Sequence, residues 1–218
     1  YTVLDDKEKC LKILRPYQIH AIEAIREASK VGKSGFVWHT TGSGKTITSY
    51  KVSRNLLMDI PSIDKTVFLI DRKDLDNQTN ESFAAYAVND IVDVDKTDYV
   101  GDLMKKLTDN NRNMIITTRQ KLQIIISKRL KEGTREYEKI KNLRVAFVVD
   151  ECHRAVTPQT KREIEKVFSN SLWYGFTGTP IFAVNASSSG NPNLRTTQQA
   201  FGDKLHTYTI VDAINDGN

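Results

Sequence analysis

The stretch Gly35-Phe36-Val37-Trp38-His39-Thr40-Thr41-Gly42-Ser43-Gly44-Lys45-Thr46 constrains this chain more than any other. A short apolar run enters a small, glycine-punctuated turn, and the turn closes on Gly-Lys-Thr where a helical pattern starts. A loop of this kind curls around an anion, so glycine stands where a Cβ would hold backbone N–H groups away. Thr41, Gly42, Ser43 and Gly44 form the cradle. Lys45 is placed to reach the β and γ phosphates of a nucleotide, and the Thr46 hydroxyl can ligate a magnesium ion. The helix N-terminus adds its own unpaired donors. The strict loop pattern has a glycine five residues before Gly44, and His39 stands there. An ordinary strand-to-helix turn with an exposed lysine is spelled similarly, so the reading needs a second, acidic site after another buried strand.

That site follows the apolar run Val145-Ala146-Phe147-Val148-Val149, as Asp150-Glu151-Cys152-His153. An acidic residue at the end of a hydrophobic strand, opposite a phosphate loop, can hold magnesium through water. The adjacent carboxylate can then polarise the water that attacks the γ-phosphate. The plainer alternative is a solvated strand end, where Asp and Glu are common.

The remaining pattern alternates strands and helices. Helices are expected from Pro16 to Gly32 and over 45–59, 73–86, 100–107, 121–130 and 158–168. Strands are expected over 36–38, 66–70, 114–118, 145–149, 172–176 and 205–210, with a last helical turn over 211–215. Uninterrupted apolar strands are typical of a parallel sheet buried on both faces. Ligands of such sheets collect at the carboxyl ends of the strands, and the suggestive motifs follow strands there. Four segments are expected: residues 1–33 as a charged lead-in and first helix, 34–184 as the main domain, 185–200 as a flexible loop rich in Asn, Ser, Gly and Thr, and 201–218 as a final strand and connection.

The 218 residues suffice for one domain with a real core. No apolar run approaches the 18 or so residues of a membrane span, and no signal peptide is visible. Two cysteines, Cys10 and Cys152, make no disulfide framework or metal spacing, so a cytoplasmic location is expected. The chain opens on Tyr1 and not on methionine, which suggests a longer parent. Its net charge is +5, yet residues 119–144 alone hold nine Lys or Arg against three Glu. That stretch is either a solvated helical face or a surface for a nucleic-acid backbone.

Taken in order, four motifs resemble the restriction (motor) subunit of Type I restriction–modification enzymes, within the superfamily 2 helicases and translocases. They are Trp38 to Thr46, Asp71-Arg72-Lys73-Asp74-Leu75, Asp150-Glu151-Cys152-His153-Arg154 and Gly175-Phe176-Thr177-Gly178-Thr179-Pro180-Ile181-Phe182. The likeness runs from about residue 14 to the end, and the helicase form of the loop does not require the glycine that His39 replaces.

The resemblance implies the first RecA-like P-loop domain of a motor, an α/β fold with a mostly parallel sheet and helices on both faces. It implies ATP and Mg2+ as ligands. Arg15, Tyr17 and Gln18 match an adenine-reading segment, Lys45 and Thr46 hold phosphate and metal, Asp150 serves the metal, and Glu151 is the general base. His153 with Thr177, Gly178 and Thr179 resembles the relay between nucleotide and nucleic acid. Arg72, Lys73 and Gln78, and Thr117, Thr118, Gln120 and Lys121, match the DNA-contacting motifs, whose residue types suit phosphate contacts. Cys152 reads as packing. Asp64 with Asp71 and Lys73 is spaced too tightly for a nuclease site.

The implied partners are double-stranded DNA, a second motor domain and a nuclease domain of the same parent chain, and the modification and specificity subunits; no membrane is implied. The second motor domain brings an arginine worth about 10³–10⁵ in rate in related chemistry, so the domain alone is expected to turn over little. Alternatives are another superfamily 2 DNA or RNA motor, a nucleic-acid-binding module with an idle nucleotide site, and a small-molecule kinase.

Overall fold

The computed structural model describes residues 1–70, 78–88, 90–186 and 196–217. Among these, strands β1 (Thr2–Asp5) and β2 (Cys10–Ile13) precede helix α1 (Pro16–Lys30), β3 (Gly35–His39), α2 (Lys45–Asp59) and β4 (Lys65–Ile70). There follow α3 (Gln78–Ala87), β5 (Val94–Lys96), α4 (Val100–Thr108), β6 (Met114–Thr118), α5 (Arg119–Ile124) and α6 (Arg135–Asn142). The chain closes through β7 (Val145–Val149), α7 (Cys152–Ala155), α8 (Pro158–Val167), β8 (Leu172–Thr177), α9 (Thr197–Phe201), β9 (Asp203–Tyr208) and α10 (Ile210–Asn215).

Seven strands form one sheet in the order β5-β6-β4-β7-β8-β3-β9, and every pairing in it is parallel. Side chains alternate between two cores, as strand geometry demands. Phe68 and Ile70 of β4 join Ile22, Ile25, Tyr50 and Phe83 on the face of α1, α2 and α3. Val67 and Leu69 join Leu103, Leu122, Ile140 and Ile164 on the other face. Continuous apolar strands are thus explained by cover on both sides.

Local chemistry sets the helix ends. Pro16 opens α1 with its fixed φ, and Gly32, at φ +70°, lets the chain turn away after it. Helix α2 buries Tyr50, Val52, Leu56 and Leu57, which is the broad stripe expected of a helix laid on a sheet.

Several expectations are corrected. Residues 2–13, within the expected charged lead-in, form an antiparallel hairpin. Its buried Asp5 pairs with Lys12 at 2.7 Å and accepts the N–H groups of Lys7 and Glu8. The Lys12 hydrogen bond holds the Asp5 carboxyl below its usual range. Residues 135–142, which no sequence pattern assigned to an element, form helix α6, with Thr134 accepting from the Tyr137 N–H and only Ile140 fully buried. Its acids lie in the first turn and its lysines in the last, which suits the helix dipole. Strand β5, also without an expected counterpart, is hydrogen-bonded to β6. The helix expected over 121–130 starts at Arg119 and widens into a π-helical turn over Ile125–Arg129. Helix α9 occupies part of the expected loop over 185–200. The last strand lies at Asp203–Tyr208 rather than 205–210.

Candidate functional site

Because the sheet is wholly parallel, the chain after β3, β6, β7 and β8 emerges at one edge. The phosphate loop occupies that edge between β3 and α2. Gly42 and Gly44 have φ of 82° and 72°, in the region that favours glycine. At Gly44 a Cβ would also stand 2.6 Å from Gln18 Nε2. Ser43 is buried, and its hydroxyl donates to the Thr40 carbonyl at 2.7 Å. Edge strand β9 steadies the loop from the side, since the Thr40 N–H donates to the Tyr208 carbonyl at 2.9 Å.

Helix α1 grips the loop from below. The Tyr17 hydroxyl donates to the Ser43 carbonyl at 2.9 Å. Gln18 Nε2 lies 3.2 Å from the Ser43 carbonyl and 3.4 Å from that of Gly44, while Gln18 Oε1 accepts from the Arg15 N–H at 2.8 Å. Both ends of this amide are therefore engaged inside the fold. Arg15 stands exposed beside it.

Lys45 is the first residue of α2. Its ammonium donates to the Thr40 carbonyl at 3.3 Å and lies 3.7 Å from Glu151 Oε1. Thr46 follows in the same first turn. Across the sheet edge, Asp150 leaves β7 with its N–H on the Leu69 carbonyl. Its Oδ1 accepts the Glu151 N–H at 2.9 Å. Glu151 has φ +42° and ψ +48°, a left-handed conformation costing a non-glycine residue roughly 1–3 kcal/mol. Strain of this kind persists where the surroundings impose it.

Glu151 also faces His153, with Oε2 3.5 Å from Nδ1. His153 Nδ1 lies 2.8 Å from Thr177 Oγ1 and Nε2 3.3 Å from Thr179 Oγ1. Burial lowers the His153 pKa, with Glu151 opposing. The Thr179 N–H donates back to Thr177 Oγ1. Gly178 runs against the loop: a Cβ on it would lie 3.3 Å from the His39 carbonyl and 3.5 Å from Thr41 N. Lys45, Glu151, His153 and Thr177 thus form a continuous chain of contacts across β3, β7 and β8.

Cys152 is fully buried, its thiol pushed up by burial, and it packs on Gly175. The residues present suit a magnesium nucleotide: donors around a glycine cradle, a lysine, a hydroxyl at Thr46 and two carboxylates. No group of three or more His, Cys, Asp or Glu gathers to hold a metal among the described residues. A dication here would complete its shell with phosphate oxygens and water, as Mg2+ commonly does.

The DNA-contacting candidates divide. Arg72 and Lys73 lie outside the described residues, and Gln78 opens α3. Thr117 and Thr118 are buried, and their hydroxyls are used internally: Thr117 accepts from Thr97 at 2.9 Å, and Thr118 caps α5 by accepting from the Lys121 N–H. The Lys121 ammonium donates to the Thr97 carbonyl, and burial lowers its pKa. Gln120 Oε1 is buried without a hydrogen-bond partner. The basic stretch over 128–144 does not extend this edge. It follows α5 down to the opposite edge, where Arg144 directly precedes β7.

Sequence reasoning assigned no part to Trp38, His206, Tyr208 or Asp216, which surround the loop. Tyr208 stacks on Tyr17 at 3.6 Å, and His206 Nδ1 lies 2.9 Å from His39 Nε2. The contacting residues are far apart in the chain, and no local pattern marks them.

The SWI2/SNF2 ATPase family matches residues 17–218. Over its whole length the chain is 42% identical to the Type I restriction enzyme SsaAORF53P endonuclease subunit of Staphylococcus saprophyticus, of which it spans 22%. It is 37% identical over 171 residues to the C-terminal part of the putative type I restriction enzyme MpnIIP endonuclease subunit, from Mycoplasma pneumoniae, covering 72% of this chain and 80% of that protein. Among solved structures, the ATP-dependent Type ISP restriction-modification enzyme LlaBIII bound to DNA aligns with a TM-score of 0.65 at 19% identity, over 94% of this chain and 16% of that one. The Sulfolobus solfataricus SWI2/SNF2 ATPase core in complex with dsDNA aligns at 0.53 and 23% identity, over 78% and 32%. These likenesses show the fold, that of RecA-like motor domains.

Proposed function

The chain belongs to the SWI2/SNF2 ATPase family and to the endonuclease subunits of Type I restriction enzymes, and from that membership we propose that it is the ATP-binding motor domain of such a subunit. It spans about a fifth of the Staphylococcus relatives it matches. The parent protein would couple ATP hydrolysis to movement along double-stranded DNA, and would cleave DNA through a separate nuclease domain. Its partners would be a second motor domain of the same chain and the modification and specificity subunits. No helix among the described residues is long and apolar enough to cross a membrane, and a cytoplasmic location fits this role.

The observation that carries the reading is the contact chain Lys45–Glu151–His153–Thr177. In it, Lys45 and the loop N–H groups bind the β and γ phosphates. Lys45 exchanges its Thr40 and Glu151 contacts for phosphate oxygens, which frees the Glu151 carboxylate. Thr46 and Asp150 would hold Mg2+, which when bound offsets negative charge on the phosphates. Glu151 accepts the proton of the attacking water. His153 links that carboxylate to Thr177 and Thr179, so a change at the γ-phosphate is passed to the segment beyond β8. Arg72, Lys73, Gln78, Gln120 and Lys121 are proposed as backbone contacts to DNA. Thr117 and Thr118 would serve that surface by shaping the loop after β6.

Replacing Lys45 by Ala and Glu151 by Gln in the full-length subunit tests this. Lys45→Ala is expected to abolish nucleotide binding. Glu151→Gln is expected to keep binding and to lose hydrolysis by at least about 10²-fold. Survival of ATP hydrolysis and DNA transport in both variants would overturn the motor reading.

A further inference from the structure

The β1–β2 hairpin sorts its side chains onto two faces, because residues directly opposite in an antiparallel pair point the same way. Val3 and Asp5 point inward, and Val3 joins the core cluster of Ile22, Tyr50 and Phe83. Polar contacts fasten this side to the helices. The Lys51 ammonium of α2 donates to the Thr2 carbonyl at 2.9 Å, and the Asp6 N–H donates to the Ala85 carbonyl of α3 at 3.1 Å. The Lys12 ammonium lies over the Tyr86 ring of α3, 5.6 Å from its centroid.

The outward face is made of the pairs Thr2 with Ile13 and Leu4 with Leu11. Leu4, Leu11 and Ile13 are 43%, 59% and 76% exposed, so all but Thr2 on this face present large apolar side chains to solvent. A hairpin with one covered face ordinarily carries polar residues on the other. The inner contacts already anchor this one, so its fold does not call for an apolar row on the outside. A contiguous exposed row of this kind marks a contact with another body. Its scarcity of polar groups suits a permanent partner more than a transient one.

The chain spans 22% of the Staphylococcus saprophyticus subunit, so in a parent of that length most of the polypeptide lies outside this domain. Of the further domains of the proposed parent, the second motor domain must face the phosphate loop to bring its arginine to the nucleotide. The hairpin lies on α2 and α3, and its outer face is turned away from them and from the sheet. We propose that this face is the docking site of the parent's nuclease domain, with Leu4, Leu11 and Ile13 as apolar anchors. The inner contacts carry the link onward to α3, whose first residue is Gln78, one of the proposed DNA contacts. Nuclease domain and DNA-contacting helix are thereby held to one another through the hairpin. This assignment rests on the reading of the chain as a Type I restriction motor.

Two measurements on the full-length subunit test it. In the first, the photo-crosslinker benzoylphenylalanine replaces Ile13, and its adducts are located by mass spectrometry. Adducts within one chain, to the nuclease domain, are expected. Adducts to the second motor domain or to a second copy of the chain, or no adducts, overturn the docking site. In the second, Leu4→Lys is combined with Leu11→Glu, which makes the face polar while opposite charges across the strands keep the hairpin paired. In the assembled restriction enzyme, DNA cleavage per ATP hydrolysed is expected to fall at least about tenfold, the scale of one buried leucine, with ATP hydrolysis within about twofold of the wild type. An unchanged ratio overturns the docking site while leaving the motor reading standing. A wild type without DNA-stimulated ATP hydrolysis overturns the motor reading and the docking site with it.

Discussion

The indole N–H of Trp38 donates to the main-chain carbonyl of Gly178 at 3.2 Å, joining the phosphate-loop strand to the segment that follows β8. Trp38 also packs edge-on against Phe182, 5.3 Å between ring centroids, under the Lys204 ammonium. Two ring contacts therefore hold the indole in place beside the hydrogen bond. A shift of Gly178 on loss of the γ-phosphate has to be felt by Trp38. Replacing Trp38 by Phe keeps an aromatic ring and removes the donor, at roughly 1 kcal/mol of stability. We expect the ratio of DNA-stimulated to basal ATP hydrolysis in the full-length subunit to fall about fivefold, the scale of one such bond. An unchanged ratio with lowered stability would make the contact structural only.

His39 replaces the loop's first glycine and is fully buried. Burial, with His206 and Lys45 nearby, pushes its pKa down to about 3, and burial also lowers that of His206. Its Nδ1 finds no hydrogen-bond partner, so a second proton would gain nothing there. Burial favours the neutral form of His39 in the fold, and the unfolded chain protonates first. Stability is then fully present above about pH 6.5 and is lost as pH falls from there toward 3, His39 contributing about 1.4 kcal/mol per pH unit. Denaturant unfolding at pH 7.5 and 5.5 should show a smaller acid loss in His39→Gln than in the wild type. An equal loss in the two proteins would refute the assignment of a neutral His39.

Lys65 begins β4 at the edge of the sheet away from the nucleotide site, and only 1% of it is exposed. Its ammonium donates to Asp109 Oδ1 at 2.6 Å, the Asn111 carbonyl at 2.7 Å and Asn113 Oδ1 at 3.1 Å. Lys65→Met keeps the stem and strands those acceptors, so a loss on the order of 3 kcal/mol is expected in chemical unfolding. ATP affinity should stay within twofold of the wild type, because the site lies at the other edge. A large change in affinity would contradict the separation of the two edges.

How far these features could be read in the sequence depends on where the partner groups lie. Strands β4, β6 and β7 were legible because both of their faces are covered and each holds an unbroken apolar run. Helix α6 was not, since it has one fully buried anchor, Ile140, and its remaining support is a cap and charges. The β1–β2 hairpin was hidden by Asp5, a carboxylate whose burial depends on Lys12. In the loop, residue types and order pointed to phosphate chemistry, and the glycines at Gly42 and Gly44 occupy the conformations that chemistry requires. The engagement of Gln18 at both ends was invisible, because the same amide suits a base edge equally well. Trp38 and Gly178 touch across 140 residues, and only the parallel order of β8 beside β3 brings them together.

That same neighbourhood explains why Cys152, inside the acidic motif, is packing rather than chemistry. A Cβ on Gly175 would stand 2.6 Å from Cys152 Sγ and 3.1 Å from Phe201 Cδ1. The short helix α7 can lie against β8 only while residue 175 lacks a side chain. Gly175→Ala should cost roughly 1–3 kcal/mol by overpacking, and Cys152→Ala alone about 1 kcal/mol by removing a buried sulfur. Together they should cost less than their sum, since the smaller residue 152 makes room for the new methyl, leaving a coupling of at least about 0.5 kcal/mol. The same pair should shift ATP hydrolysis in parallel, because α7 carries His153 and directly follows Glu151. Strict additivity in unfolding, or hydrolysis unaffected by Gly175→Ala, would show that the acidic turn is held by some contact other than this one.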